Sequence, residues 1–264
     1  MFKEIFGPGR NESDSEVNYE ELNLTRGCRV HGGPIRSMIE LSNGKLASAS
    51  SDGTIGVWDP KTFELESGLR SSEDYLGLTE LSTKEHVVYS TASGVIGMWD
   101  YGGRGGFNFM KIDGWVFDLV EVKRAKLAAA APNGSVLMID MDKGEVVDEY
   151  KGHELEVLSI DKLSKNRIVT GSADGTIKVW DLKKGKVLRT LEGHEKAVRS
   201  VSAISGGRIL SGSPDRSVKI WNPDTGECEV DIVVGGSFSP VIEVGEGSMA
   251  IGYLDGGVHF WEKK

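Results

Sequence analysis

Tryptophan marks time along this chain. Counted back from the C-terminal end, Trp261, Trp221, Trp180, Trp99 and Trp58 lie 40, 41, 81 and 41 residues apart, a beat near 41 whose one silent slot is held by Ile139. A period of about 40 to 45 residues belongs to repeat architectures, in which one unit cannot bury both of its apolar faces and must stack on its neighbours. A continuous repeat over 264 residues makes one closed array rather than two separate domains.

The beat has further members. Six residues before each Trp-slot residue stands Asp52, Ser93, Asn133, Asp174, Asp215 or Asp255, and 21 residues before Asp52, Asp174 and Asp215 stand His31, His153 and His194. The stretches Gly152-His153 to Trp180-Asp181 and Gly193-His194 to Trp221-Asn222 begin and end alike. On these residues the chain resembles the WD-repeat β-propeller family, over nearly everything from about residue 20 onward. The resemblance implies a fold and leaves function open.

Turn residues cut each repeat into short strands. From Val198, the segments Arg208–Ser213, Ser217–Trp221 and Glu227–Ile232 follow turns at Gly206-Gly207, Asp215-Arg216 and Pro223–Gly226, giving a four-stranded antiparallel meander. Six such cycles predict an all-β, six-bladed β-propeller. Inner strands are expected to begin near Ile35, Tyr75, Val116, Val157, Val198 and Phe238, and Trp-slot strands near Thr54, Val95, Ser135, Thr176, Ser217 and Gly257. The last repeat ends at Trp261 with three residues to spare, so its outer strand is expected from residues 19–27, closing the ring and removing both open sheet edges. Residues 1–18, with Glu12, Asp14 and Glu16 among Gly, Ser and Asn, read as a solvated acidic tail, and 19–264 as the propeller.

Charge and cysteine content exclude several classes. Lys and Arg number 31 against 40 Asp and Glu, a net charge of −9, which disfavours the nucleic-acid backbone as a direct partner. Cys28 and Cys228 are the two cysteines, without metal-ligand spacing, so neither a disulfide framework nor a zinc site is signalled. No apolar run approaches the roughly 20 residues that span a bilayer. The expectation is an intracellular protein, cytoplasmic or nuclear, monomeric on its own, without a cofactor and without membrane insertion.

The resemblance implies that a His, a second-strand Ser or Thr, the turn Asp and the Trp form a hydrogen-bonded chain within a blade. Complete sets are available as His31, Asp52 and Trp58 in blade 1, His153, Asp174 and Trp180 in blade 4, and His194, Asp215 and Trp221 in blade 5. His beside Asp, with Ser172 or Ser213 near, would also suit nucleophilic catalysis. Copies scattered around a ring cannot converge on one point, which favours structure over catalysis. Blade 2 offers Ser72 and Ser93, blade 3 Ile112, Asn133 and Ile139, and blade 6 Val234 with Asp255 and Trp261, so blades 2 and 3 are expected to be less rigid.

Propellers of this family commonly bind at the wide central mouth, where loops entering the inner strands meet the Asp-bearing turns. Slot by slot, the inner-strand positions there are Arg36, Leu76, Phe117, Leu158, Arg199 and Ser239, with Trp115 just before the third. Leu76, Phe117 and Leu158 make an apolar half, and Arg36 and Arg199 a cationic one, suited to a short peptide carrying a carboxylate or phosphate. The alternative is that the arginines pair with Glu154 or Glu195 and the apolar residues plug the channel. Gly102–Gly106, with Phe107 and Phe109 behind it, reads as a hairpin loop rather than a phosphate cradle. The functional expectation is a non-catalytic scaffold that binds partner proteins or peptide motifs at the rim. The alternatives are a structural subunit using its outer faces and, behind both, a propeller hydrolase, for which metal-binding carboxylates on the axis are lacking in these slots.

Overall fold

Small and β-branched residues make the second strand of each repeat a segment that neighbours can cover on both faces. Leu46–Ser50, reading Leu-Ala-Ser-Ala-Ser, is buried throughout, and Lys126–Ala130 and Arg208–Gly212 are buried after their first residue. Outer strands such as Leu65–Arg70 and Glu145–Lys151 are mostly exposed. The computed structural model describes residues 22–263 apart from 84–85, 104, 236–237 and 246. These form six four-stranded antiparallel sheets arranged as the blades of a propeller.

Strand β1 (Leu22–Arg29) is the outer strand of blade 6, and blade 1 follows as β2 (Ile35–Glu40), β3 (Leu46–Ser50), β4 (Thr54–Trp58) and β5 (Leu65–Arg70). The later inner strands start at Tyr75, Asp118, Val157, Ser200 and Phe238. The two that differ from expectation begin two residues late. Val116 and Val198 are buried in the loop that enters the blade rather than paired in its sheet.

Apolar packing lies between blades, in six clusters that each join two neighbours. Ile55, Val57, Tyr75, Leu78 and Trp99 link blades 1 and 2, and Val169, Val179, Val198 and Trp221 link blades 4 and 5. Two sets of hydrogen bonds join neighbouring blades. On one face the residue after the turn Asp slot has a left-handed backbone, φ between 77° and 85° at Gly53, Gly94, Gly134, Gly175 and Gly256 and 71° at Arg216. A side chain at Gly94 would meet the Ile112 carbonyl at 2.2 Å, so glycine answers both the φ and the close approach there. Its carbonyl accepts from Ile112 N of the next blade at 2.9 Å, as Gly256 accepts from His31 and Arg216 from Val234. On the opposite face, glutamates at the ends of inner strands accept from the preceding blade's first turn: Glu80 from Ser42, Glu121 from Ser82, Glu243 from Ser205 and Glu40 from Gly245, at 2.6 to 3.0 Å.

The last of these staples joins blade 6 to blade 1 across the closure. There β1 pairs with β24 (Gly257–Lys263), Leu24 opposite Trp261 and Arg29 opposite Gly257. Arg26 lies over the Phe260 ring at 4.7 Å and bonds Glu262 at 3.1 Å. The described strand thus runs from 22 to 29 where 19–27 was expected; residues 19–21 and the expected tail, 1–18, lie outside the described residues. Two truncations test the closure. A chain starting at residue 18 is expected to melt with the parent in a thermal scan, whereas one starting at residue 28 loses most of the β1 pairing and is expected to lose cooperative folding. Equal melting temperatures would contradict it.

Candidate functional site

A tryptophan N–H buried between blades needs an acceptor, since leaving it unpaired costs about 1 to 3 kcal/mol. In blade 5 Trp221 donates to Ser211 Oγ at 2.8 Å, Ser211 Oγ lies 2.7 Å from His194 Nε2, and His194 Nδ1 lies 2.8 Å from Asp215 Oδ2. Blade 4 repeats this through Trp180, Thr170, His153 and Asp174 at 2.8, 2.7 and 2.8 Å. Blade 1 has Trp58, Ser48 and His31 at 3.0 and 2.7 Å, while Nδ1 sits 2.9 Å from Thr54 Oγ1 and 3.4 Å from Asp52. A neutral ring with its proton on Nδ1 satisfies every member: indole to hydroxyl, hydroxyl to Nε2, Nδ1–H to carboxylate. Burial lowers the pKa of all three histidines and so favours that neutral form.

This is the connectivity of a Ser-His-Asp triad, yet Ser48, Thr170 and Ser211 are fully buried and already engaged by indole and imidazole. No substrate carbonyl could reach such an oxygen. Ser172 and Ser213, two residues on, accept from Asp174 N and Asp215 N and shape the turns.

Blades lacking a set replace it differently. In blade 2 the Ser93 hydroxyl donates to Glu73 at 2.5 Å, so Glu73 rather than Ser72 partners the turn. In blade 3 Ile139 is fully buried beside Leu127 and Ala129, with no polar group to satisfy, and Asn133 turns outward to Glu149 at 2.8 Å. Blade 6 keeps Trp261 but has Ile251 where the relay hydroxyl would stand, and the buried Trp261 Nε1 has no partner among the described residues.

The rigid ring holds open an axial channel of about 250 Å³, lined by all six inner strands. Of the sequence-derived rim residues, Arg36, Leu158 and Arg199 line it together. Both arginines are exposed, and among the described residues neither pairs with a carboxylate. The backbones of Glu154 and Glu195 are held instead by Asp174 and Asp215. Phe117 is half-buried against Trp115, ring centroids 5.5 Å apart, and Trp115 is 54% exposed. Leu76 is buried and does not present itself, and Ser239 donates to the Arg199 carbonyl at 3.4 Å.

The family model described as WD domain, G-beta repeat, matches residues 23–59, 144–181 and 185–222. These spans contain the three complete relays. Among solved structures, the WD40 β-propeller domain of Doa1 is similar at 21% identity with a TM-score of 0.69, covering 92% of this chain and 97% of that one. A comparison with curated proteins gives no match. The chain is a six-bladed β-propeller in which WD40 repeats are matched in three places, the same three blades that carry the complete relay. It contains no helix long and apolar enough to cross a membrane among the described residues.

Sequence reasoning missed two carboxylates deeper in the channel, Asp118 and Asp161. Asp118 accepts from Ile160 N and Ser159 Oγ, both at 3.1 Å, and from its neighbour Leu119 N at 2.9 Å; Asp161 accepts from Ala203 N at 2.7 Å. Each joins its blade to the next. The signal was present, since Asp118, Ser159 and Ser200 recur at intervals of 41, and Ser159 and Ser200 in turn accept from Val201 N and Val241 N. Burial raises the Asp118 carboxyl from 3.8 to about 7 and that of Asp161 to about 6, against the hydrogen bonds they accept. A carboxyl raised in the folded state stabilises fully below its unfolded value and loses that contribution as pH climbs through the folded one. The melting temperature of the parent relative to Asp118→Asn is therefore expected to fall between about pH 4 and pH 7 and level off above. A pH-independent difference would show an ordinary carboxyl.

Proposed function

We propose that this propeller is a non-catalytic interaction scaffold that seats an acidic or phosphorylated segment of a partner protein at the mouth of its channel. The observation that carries this is the pair Arg36 and Arg199, exposed at one opening without carboxylate partners among the described residues, in a chain whose net charge is −9. Leu158 lines the channel with them, and Phe117 with the exposed Trp115 sits in the loop that enters the inner strand of blade 3, so an apolar side chain and an anionic group could be held together. Guanidinium groups bind carboxylate or phosphate in bidentate fashion, which gives orientation as well as attraction. The fixed positions in the repeats are engaged in holding blades together, which leaves the variable rim as the place for recognition. A cytoplasmic or nuclear setting fits the two unpaired cysteines.

Exposed apolar residues on the outer strands favour a second reading, a structural subunit gripped from outside. Val147, Leu188 and Val233, 48%, 52% and 82% exposed, lie on the outer strands of blades 3, 4 and 5 in succession. Charge reversal separates the two. Full-length Arg36→Glu/Arg199→Glu is expected to lose the partners that the parent captures from its native lysate, as read by quantitative mass spectrometry. Unchanged recovery would reject the mouth and favour the outer faces.

A further inference from the structure

The seam between blades 6 and 1 contains a gap that the other seams fill. Two positions before each Trp slot, the third strand faces the preceding blade, and its cross-strand partner on the outer strand faces the same way. In blade 4 this pair is Lys178 and Thr190, joined at 2.9 Å, and in blade 5 it is Lys219 and Asp231, an ion pair. Blade 3 has Leu137 opposite Glu149. Blade 2 has Gly97 opposite Asn108, but the Tyr89 phenol covers the glycine and bonds Asn108 at 2.9 Å. Blade 6 has Gly27 beneath the His259 ring. Blade 1 alone among these described pairs sets glycine against glycine, Gly56 opposite Gly68, with only the tip of Leu65 reaching over Gly56 and no side chain over Gly68.

The backbone does not demand these glycines. Neither has a left-handed φ; a Cβ at Gly68 would meet only the Ile55 carbonyl, at an ordinary 3.5 Å, and one at Gly56 the tip of Leu65 at 3.0 Å. Glycine inside a strand weakens it by roughly 0.5 to 1 kcal/mol relative to alanine and often marks a place where a ligand or another backbone comes close. What the pair leaves is a groove of about 560 Å³, within the range of sites that hold ligands. Trp58 and Phe63 line its floor, Cys28 of β1 its far wall, and Leu65, 68% exposed, its edge.

Charge selects the occupant. Arg29 and Arg70, both exposed, stand at the groove. Arg29 is held by the carbonyls of His31 and Gly32 at 3.1 and 3.2 Å, and the Arg70 side chain has no partner among the described residues. The one carboxylate lining the groove, Asp52, is committed to Gly32 N, Thr54 and His31. We infer that this seam is a second binding site, independent of the channel mouth. It takes an extended peptide segment of a partner protein whose backbone crosses Gly56 and Gly68, with one apolar side chain against Phe63 and Leu65 and a neighbouring carboxylate on Arg70.

The test uses full-length protein carrying Cys228→Ser, which leaves Cys28 as the one thiol and a reporter inside the groove. A displayed random octapeptide library is selected on this protein and counter-selected on a graft, Gly56→Lys with Gly68→Thr, which copies the Lys178–Thr190 pair and is expected to melt no lower than the parent. Should the graft melt lower, Gly68→Leu replaces it. The selected peptides are expected to carry an apolar residue within two positions of Asp or Glu and to slow maleimide labelling of Cys28. They are expected to bind the graft more weakly by roughly tenfold or more and to bind Arg36→Glu/Arg199→Glu unchanged. Equal binding to the graft, or no slowing of Cys28 labelling, overturns the site; discriminating peptides without carboxylates overturn its chemistry. Self-association that the graft abolishes would give the groove to a second copy of the chain. Cys28 that becomes reactive only when residues 1–17 are removed would give it to the chain's own N-terminal segment. Either result also contradicts the proposal.

Discussion

An indole N–H closed between two blades can no longer reach water, and the propeller depends on how that one group is answered. In blades 1, 4 and 5 a single second-strand hydroxyl answers it while also meeting a histidine ring. The ring carries the connection out to the turn aspartate at the face of the molecule. The relay therefore ties together the loop that enters a blade, its second and third strands, and the turn between them. Neighbouring blades then lock through turn carbonyls on one face and, at four seams, a glutamate staple on the other; Asp118 and Asp161 join blades 3, 4 and 5 inside the channel. Where the relay is missing, the repeat substitutes an apolar core in blade 3, a glutamate in blade 2, and an unanswered indole in blade 6.

The same interaction explains why each relay has the connectivity of a catalytic triad without an accessible hydroxyl. A Ser-His-Asp arrangement becomes nucleophilic when its hydroxyl faces a substrate and donors surround the developing oxyanion. Here the hydroxyl is sealed beneath the blade and shared with an indole. The proposed contacts fall on groups the relay leaves alone: Arg36 and Arg199 at the channel, Trp115 with Phe117, and the Gly56–Gly68 pair at the closing seam.

Period and offset made the number of blades, most strand starts and the His, Asp and Trp of each relay legible in the sequence. The relay hydroxyls were not, because Ser48 and Ser50, or Ser211 and Ser213, sit two apart on the same strand face and nothing local says which one the histidine meets. Glu40-Leu-Ser42 and Glu80-Leu-Ser82 repeat openly, yet a staple to the preceding blade is visible only once blades are placed side by side. Of the expected rim, Arg36, Leu158 and Arg199 line one channel, while Leu76 is buried because blade 2 packs its first strand more deeply, buried over five of six residues. The Gly56–Gly68 pair needs cross-strand register to be seen at all, since each glycine alone reads as ordinary.

The Ser211 hydroxyl is a shared hub between indole and imidazole, and a double-mutant cycle between Trp221 and His194 measures that directly. Unfolding free energies of Trp221→Phe, His194→Ala and the double variant are compared, and the cycle is repeated in a Ser211→Ala background. A coupling of about 1 to 2 kcal/mol that collapses without Ser211 is the result the relay requires. Additivity within about 0.5 kcal/mol, or a coupling that survives Ser211→Ala, would mean that the two rings contribute by packing alone.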